Sequence, residues 1–147
     1  MSTILKPFQQ TLVDNGARHI ADYLSGLQRL VDVEQAVVFK RRAGTILLEA
    51  PTGTGKTLMA GRIAEAVTQR HDVTWLWFAP FAGLIEQTEA VVRTEFPGLR
   101  VRSLRADRSA DTARAGEVRV ATWALISNEN TTVHQPGESG DTLEDFI

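Results

Sequence analysis

The 147-residue chain contains no cysteine, which excludes disulfide frameworks, thiolate metal sites, iron–sulfur clusters and Cys nucleophiles. Histidine is scarce: His19, His71 and His134 are too scattered to build an imidazole metal site. Long apolar runs are missing as well. The longest uncharged stretch, Val73 to Ile85, is broken by Pro80 and too short to span a bilayer. The N-terminus, Met-Ser-Thr-Ile-Leu-Lys-Pro, lacks the shape of a secretory signal, so a cytoplasmic protein without a membrane partner is expected. Neither sign of charge dominates. Sixteen Lys and Arg stand against eighteen Asp and Glu, a net charge of −2, so no global pull toward nucleic acid follows. With 43% hydrophobic residues, what remains is an ordinary soluble core of one domain's size.

The charge is unevenly spread. Residues 1–126 hold all sixteen basic residues and thirteen acidic ones, whereas residues 127–147 hold five acidic residues and no basic ones. Asn, Thr, Pro, Gly and Ser gather between Ser127 and Gly140, the composition of an exposed loop. The last seven residues read as a helix start, with Asp141 or Thr142 as cap and Glu144 or Asp145 three residues on. About two turns are too few to be stable alone, which suggests a truncated chain.

Upstream, helices and strands alternate. Phe8, Leu12, Ile20, Leu24 and Leu27 fall at helical spacing over residues 7–30, with Asn15-Gly16 expected as a turn or kink. Residues 44–50 read as a buried strand. Lys56 to Gln69 reads as a helix with Leu58, Ile63, Ala66 and Val67 on one side. A strand over Val73–Ala79, a helix over Ala82–Phe96 closed by Pro97-Gly98, and strands over Leu99–Leu104 and Val118–Thr122 complete the pattern. The fold class is α/β, a parallel sheet with helices on both faces. No internal repeat occurs.

The chemistry lies in Ala50-Pro51-Thr52-Gly53-Thr54-Gly55-Lys56-Thr57, between an expected strand and an expected helix. A polyphosphate needs donors at close range on every side. Gly53 and Gly55 permit a backbone that side chains forbid and keep the amides of Thr52 to Gly55 open to phosphate. The amides of Lys56, Thr57 and Leu58 and the positive end of the helix dipole face the same anion. Lys56 reaches the outer phosphates, and the Thr57 hydroxyl is the candidate Mg²⁺ ligand. These two are the catalytic candidates, and the expected cofactors are ATP and Mg²⁺.

The form Ala-Pro-Thr-Gly-Thr-Gly-Lys-Thr resembles the first motif of superfamily-two helicases and translocases. Leu5-Lys6-Pro7-Phe8-Gln9 resembles the segment in these enzymes where a Gln beside an aromatic reads adenine. A Gln amide donates and accepts at once, matching the adenine edge. The resemblance makes Gln9 the adenine reader with Phe8 beside it; otherwise the same residues form a capped amphipathic helix with Gln9 on its wet side. Phe78 to Gln87 is similar to the family's second motif, with Pro80, Leu84 and Gln87 on its spacing. Phe81 stands where Thr or Ser is usual, so it stacks or packs where a hydroxyl would bind phosphate. Val118 to Leu125 looks like the next segment, where Thr122 would touch a nucleic-acid backbone. In order, these segments most resemble the N-terminal motor portion of the restriction subunit of type III restriction–modification enzymes. The resemblance implies a RecA-like P-loop fold. It divides the chain into a helical segment with the adenine-reading Gln (1–43), a partial core (44–126) and a polar acidic tail (127–147).

Other features count for less. Leu24-Ser25-Gly26-Leu27-Gln28 has a transporter-signature look but precedes the P-loop, and reads as a kinked helix. Lys40-Arg41-Arg42 reads as a solvated loop. Arg93, Arg100, Arg102, Arg105, Arg108, Arg114 and Arg119, interleaved with acids, fit either a phosphate track or a salt-bridged surface. Hydrolysis also needs carboxylates, which the superfamily supplies in an Asp-Glu motif at the end of an apolar strand. No such strand occurs among these 147 residues. The sequence therefore reads as the ATP-binding part of a helicase or type III restriction subunit, binding nucleotide weakly and inactive in hydrolysis by itself. Expected partners are nucleic acid, DNA rather than RNA, and the remaining motor lobe, a completing chain or a second copy. The rivals are a nucleotide-sensing module that regulates a partner and a small P-loop kinase with Asp107–Arg114 as its lid.

Overall fold

Pro7, with no amide proton to lose and φ already near the helical value, opens helix α1 (Pro7–Gln28). Its N-cap, Lys6, donates its amide to Gln9 Oε1 at 2.7 Å, the reach-back that closes a helix start. This belongs to the computed structural model of the chain, which describes residues 3–30, 46–104 and 114–127. They divide into two units, Thr3–His71 and the residues from Asp72 onward.

In the first unit α1 packs along α2 (Lys56–Thr68). Gln9, Val13 and Gly16 are the buried positions of α1, four and three residues apart, the spacing of one helix face. Asn15-Gly16 does not form a turn: α1 runs through it unbroken. Gly16 is there for proximity, since a Cβ on it would lie 2.7 Å from Ile63 Cδ1 of α2. On α2 the buried stripe is Met59, Gly61, Ala64 and Val67, and Leu58, Ile63 and Ala66 are only half-buried. Leu24 to Gln28 is the last turn of α1, with Arg29 as its helical C-cap.

Residues 46–50 correct the strand expected over 44–50: no ladder forms there among the described residues, and Leu47 is 87% exposed. An apolar run becomes a strand only where another backbone takes up its amides and carbonyls. Residues 44 and 45 lie outside the described residues.

The second unit is a three-stranded parallel sheet of β1 (Trp75–Ala79), β2 (Arg100–Ser103) and β3 (Glu117–Thr122), ordered β1-β3-β2. Trp75 pairs with Val118 and Ala79 with Thr122 on one side of β3; Arg100 pairs with Glu117 on the other. Parallel strands of one sheet need crossovers, and α3 (Gly83–Glu95) carries the chain from β1 to β2 on the far side of β3, packing on β2 and β3. Thr88 and Val92 of α3, Phe96 and Leu99 beyond it, and Val118 and Val120 of β3 are buried. Each of the apolar side chains among them stabilises the unit by about 1.5–3 kcal/mol when fully buried. A short helix, α4 (Trp123–Ser127), follows β3 directly.

As the central strand, β3 is buried on both faces, and Arg119 is buried with it at 1% exposure. Arg119 therefore lines neither a phosphate track nor a salt-bridged surface. Its Nε lies 3.6 Å from Glu117 Oε1, and Glu117 Oε2 also accepts the Arg114 amide at 3.1 Å. Arg105, Arg108, most of the Asp107–Arg114 lid candidate, Lys40-Arg41-Arg42 and the acidic tail beyond Ser127 lie outside the described residues.

Candidate functional site

The glycine loop leads straight into α2. Gly53 has φ +81° and Gly55, the N-cap of α2, has φ +80° and ψ +36°. In this left-handed region a Cβ is strained, so both positions favour glycine. Nothing lies within 4 Å of a Cβ built on Gly53, which faces open space. A Cβ on Gly55 would come within 2.9 Å of Gln9 Nε2.

Three donors converge on the Pro51 carbonyl: the Thr54 hydroxyl at 2.6 Å, Lys56 Nζ at 3.0 Å and the Thr54 amide at 3.4 Å. Lys56 Nζ also donates to the Ala50 carbonyl at 2.7 Å, so the exposed ammonium is folded back over the loop. The first helical bond across the cap runs from the Met59 amide to Gly55 O at 2.9 Å, which puts the amides of Lys56, Thr57 and Leu58 ahead of the ladder. No acidic residue lies in the first turn of α2, so no carboxylate within the helix offsets its positive end. Thr52, Gly53, Lys56 and Thr57 are exposed, while Thr54, Gly55 and Leu58 are half-buried. Free amides, a positive helix end and a nearby ammonium are the chemical components from which anion sites are built.

Gln9 belongs to this loop. It is 7% exposed, so it does not sit on the wet side of its helix. Its Nε2 donates to the Thr54 carbonyl at 2.8 Å while its Oε1 accepts from the Lys6 amide. Both ends of the amide are thus engaged, one with the helix start and one with the loop. Phe8 beside it is exposed. A cleft of about 320 Å³ opens nearby, walled by Thr3, Leu5, Gln10, Val13, Arg62 and Glu65 among others. Arg62 is fixed there by Glu65 at 2.7 Å and by the Thr3 carbonyl at 3.4 Å.

In the second unit, Pro80 and Phe81 follow the end of β1 and Thr122 ends β3 beside Ala79. Pro80, Phe81 and Gln87 of α3 are exposed. Thr122 is half-buried, and its Oγ1 accepts the Leu125 amide at 3.2 Å, which caps α4. Phe78 and Trp123, which sequence reasoning did not single out as site residues, meet edge to face at these strand ends. Among the described residues no cluster of three or more His, Cys, Asp or Glu could hold a metal, and no helix is long and apolar enough to cross a membrane.

No curated protein and no solved structure matches the chain. A family profile described as "Type III restriction enzyme, res subunit" matches residues 3–143. The match spans the glycine loop, the parallel sheet and nearly all of the sequence, and the α/β architecture agrees with the family's RecA-like P-loop fold. The chain belongs to the type III restriction enzyme res subunit family, a helicase-like family of ATP-binding enzymes that act on nucleic acid.

Proposed function

We propose that this chain is the nucleotide-holding part of a DNA helicase or translocase, with ATP gripped by residues 52–58. The observation that carries the reading is the loop itself: two glycines at positive φ, the second of them capping a helix that opens on Lys56 and has no acid in its first turn. In it, the amides of Thr52 to Leu58 take the phosphates and Lys56 the outermost charge. The exposed Thr57 hydroxyl fits a Mg²⁺ ligand at the mouth of the loop; the ion, when bound, neutralises charge on the phosphate oxygens. Gln9 reads adenine by trading the Thr54 carbonyl for the base, with Phe8 alongside. Pro80, Phe81, Gln87 and Thr122 contact DNA; the Thr122 oxygen already accepts an amide, so its role toward phosphate is that of a donor.

No Asp-Glu dipeptide occurs in the 147 residues, so in this reading the chain binds nucleotide and turns it over negligibly by itself. Titration calorimetry with Mg·ATP and ADP tests the reading. Lys56→Ala should weaken binding by at least tenfold, since it removes a charge-assisted contact. Unchanged affinity refutes phosphate binding here, and robust turnover by the pure chain refutes binding without hydrolysis.

A further inference from the structure

Among the described residues from Asp72 onward, the large apolar side chains that remain exposed are Phe78, Phe81 and Trp123 at 39%, 61% and 63%. All three are aromatic, and all lie within two residues of the C-terminal end of β1 or β3. The register sets Ala79 beside Thr122, so these strand ends are adjacent. This is the edge at which open parallel sheets bind ligands. Phe78 and Trp123 touch with ring centroids 5.3 Å apart and planes at 79°, an edge-to-face pair in which contact between the two consumes only one edge and one face.

We propose that Phe78 and Trp123, with Phe81 next to them, are a stacking platform for the bases of an unpaired nucleic-acid strand. The proposal deepens the reading of this edge as a nucleic-acid contact and rests on it. Two physical arguments favour bases over a protein partner. The exposed parts of the three rings amount to roughly 350 Å², well short of the ~800 Å² per partner of a stable protein interface; a single base on one ring needs far less. Stacking is also indifferent to base identity, because every base has a π face, as a motor that steps along any sequence requires. Trp123 directly follows Thr122, so a hydroxyl for the backbone and a ring for the base are neighbours in the chain.

The test compares binding of the full chain to a labelled oligo-dT and to an abasic strand with the same number of phosphates, by fluorescence anisotropy at one salt concentration. Oligo-dT should bind roughly tenfold more tightly. Trp123→Leu and Phe78→Leu, checked for folding by circular dichroism, should bring oligo-dT down to the abasic level without changing abasic binding, while Trp123→Phe keeps most of the difference. Equal binding of both strands by the unmodified chain overturns the platform and leaves a backbone contact standing. Binding of neither strand overturns the nucleic-acid reading of this edge as well. Concentration-dependent dimerisation in sedimentation that Trp123→Leu abolishes assigns the rings to a second copy and also overturns the proposal.

Discussion

The two loop glycines have nearly equal φ but different surroundings, so replacing each with alanine separates backbone strain from side-chain crowding. At Gly53 an added Cβ meets nothing within 4 Å, and the cost is the left-handed conformation alone, about 1–2 kcal/mol. At Gly55 the same strain applies, but the Cβ also comes within 2.9 Å of Gln9 Nε2. The amide is the far end of a flexible side chain and can swing aside. What is then lost is its 2.8 Å bond to the Thr54 carbonyl, worth about 1 kcal/mol. Gly55→Ala should therefore destabilise the first unit by about 2–3 kcal/mol, about 1 kcal/mol more than Gly53→Ala. The two changes at Gln9 and Gly55 should also couple: with the Thr54 bond already broken by Gly55→Ala, Gln9→Ala should cost about 1 kcal/mol less than in the original chain. Urea unfolding followed by far-ultraviolet circular dichroism suits the experiment, because α1 and α2 supply the signal and all three tryptophans lie beyond Asp72. Equal costs at the two glycines, together with simple additivity of Gln9→Ala and Gly55→Ala, would refute the reasoning.

Three further outcomes are expected. Gly16→Val drives methyl groups into Ile63 and should cost about 1–3 kcal/mol in urea melts, part of it recovered by Ile63→Ala in the same chain; no recovery breaks the assignment of Gly16 to close packing. Glu117→Ala removes the carboxylate 3.6 Å from the buried Arg119 guanidinium and should lower stability by about 1–3 kcal/mol, read from the tryptophan fluorescence of the strand unit. Met59→Ala, at a fully buried position of α2, should cost about 2–5 kcal/mol by circular dichroism; a loss below 1 kcal/mol means the α1–α2 interface is not the packed layer described.

What could be read from the chain beforehand follows the range of the forces involved. The three parallel strands and the helices α1, α2 and α3 are set by local periodicity and by Pro7, Pro97 and the glycine loop, and their bounds lie within a few residues of expectation. The loop's two positive-φ positions were legible because only glycine adopts them easily. Non-local pairing was not legible. Ile46 to Ala50 has a strand's composition and no ladder. Gly16 looks like a breaker until Ile63 is placed against it. Arg119 looks like surface charge until β3 is seen to be the middle strand. Gln9 stood out through the resemblance of Leu5–Gln9 to an adenine-reading segment, a role that uses an amide's double capacity; that its amide donates to Thr54 and accepts from Lys6 depends on a contact 45 residues away and was not legible.

The fold-back of Lys56 has a consequence for how any anion enters the loop. Its ammonium is already satisfied by two neutral oxygens, so capture is an exchange in which Ala50 and Pro51 surrender a donor as the newcomer gains one. Bonds to a charged acceptor are roughly twice as strong as bonds to a neutral one, so the exchange favours phosphate and penalises uncharged competitors. Affinity here measures a difference between two sets of contacts, and freeing the Pro51 carbonyl leaves only Thr54 to restrain the turn. Arrival of the ligand thus loosens the very strap that kept the entrance in shape.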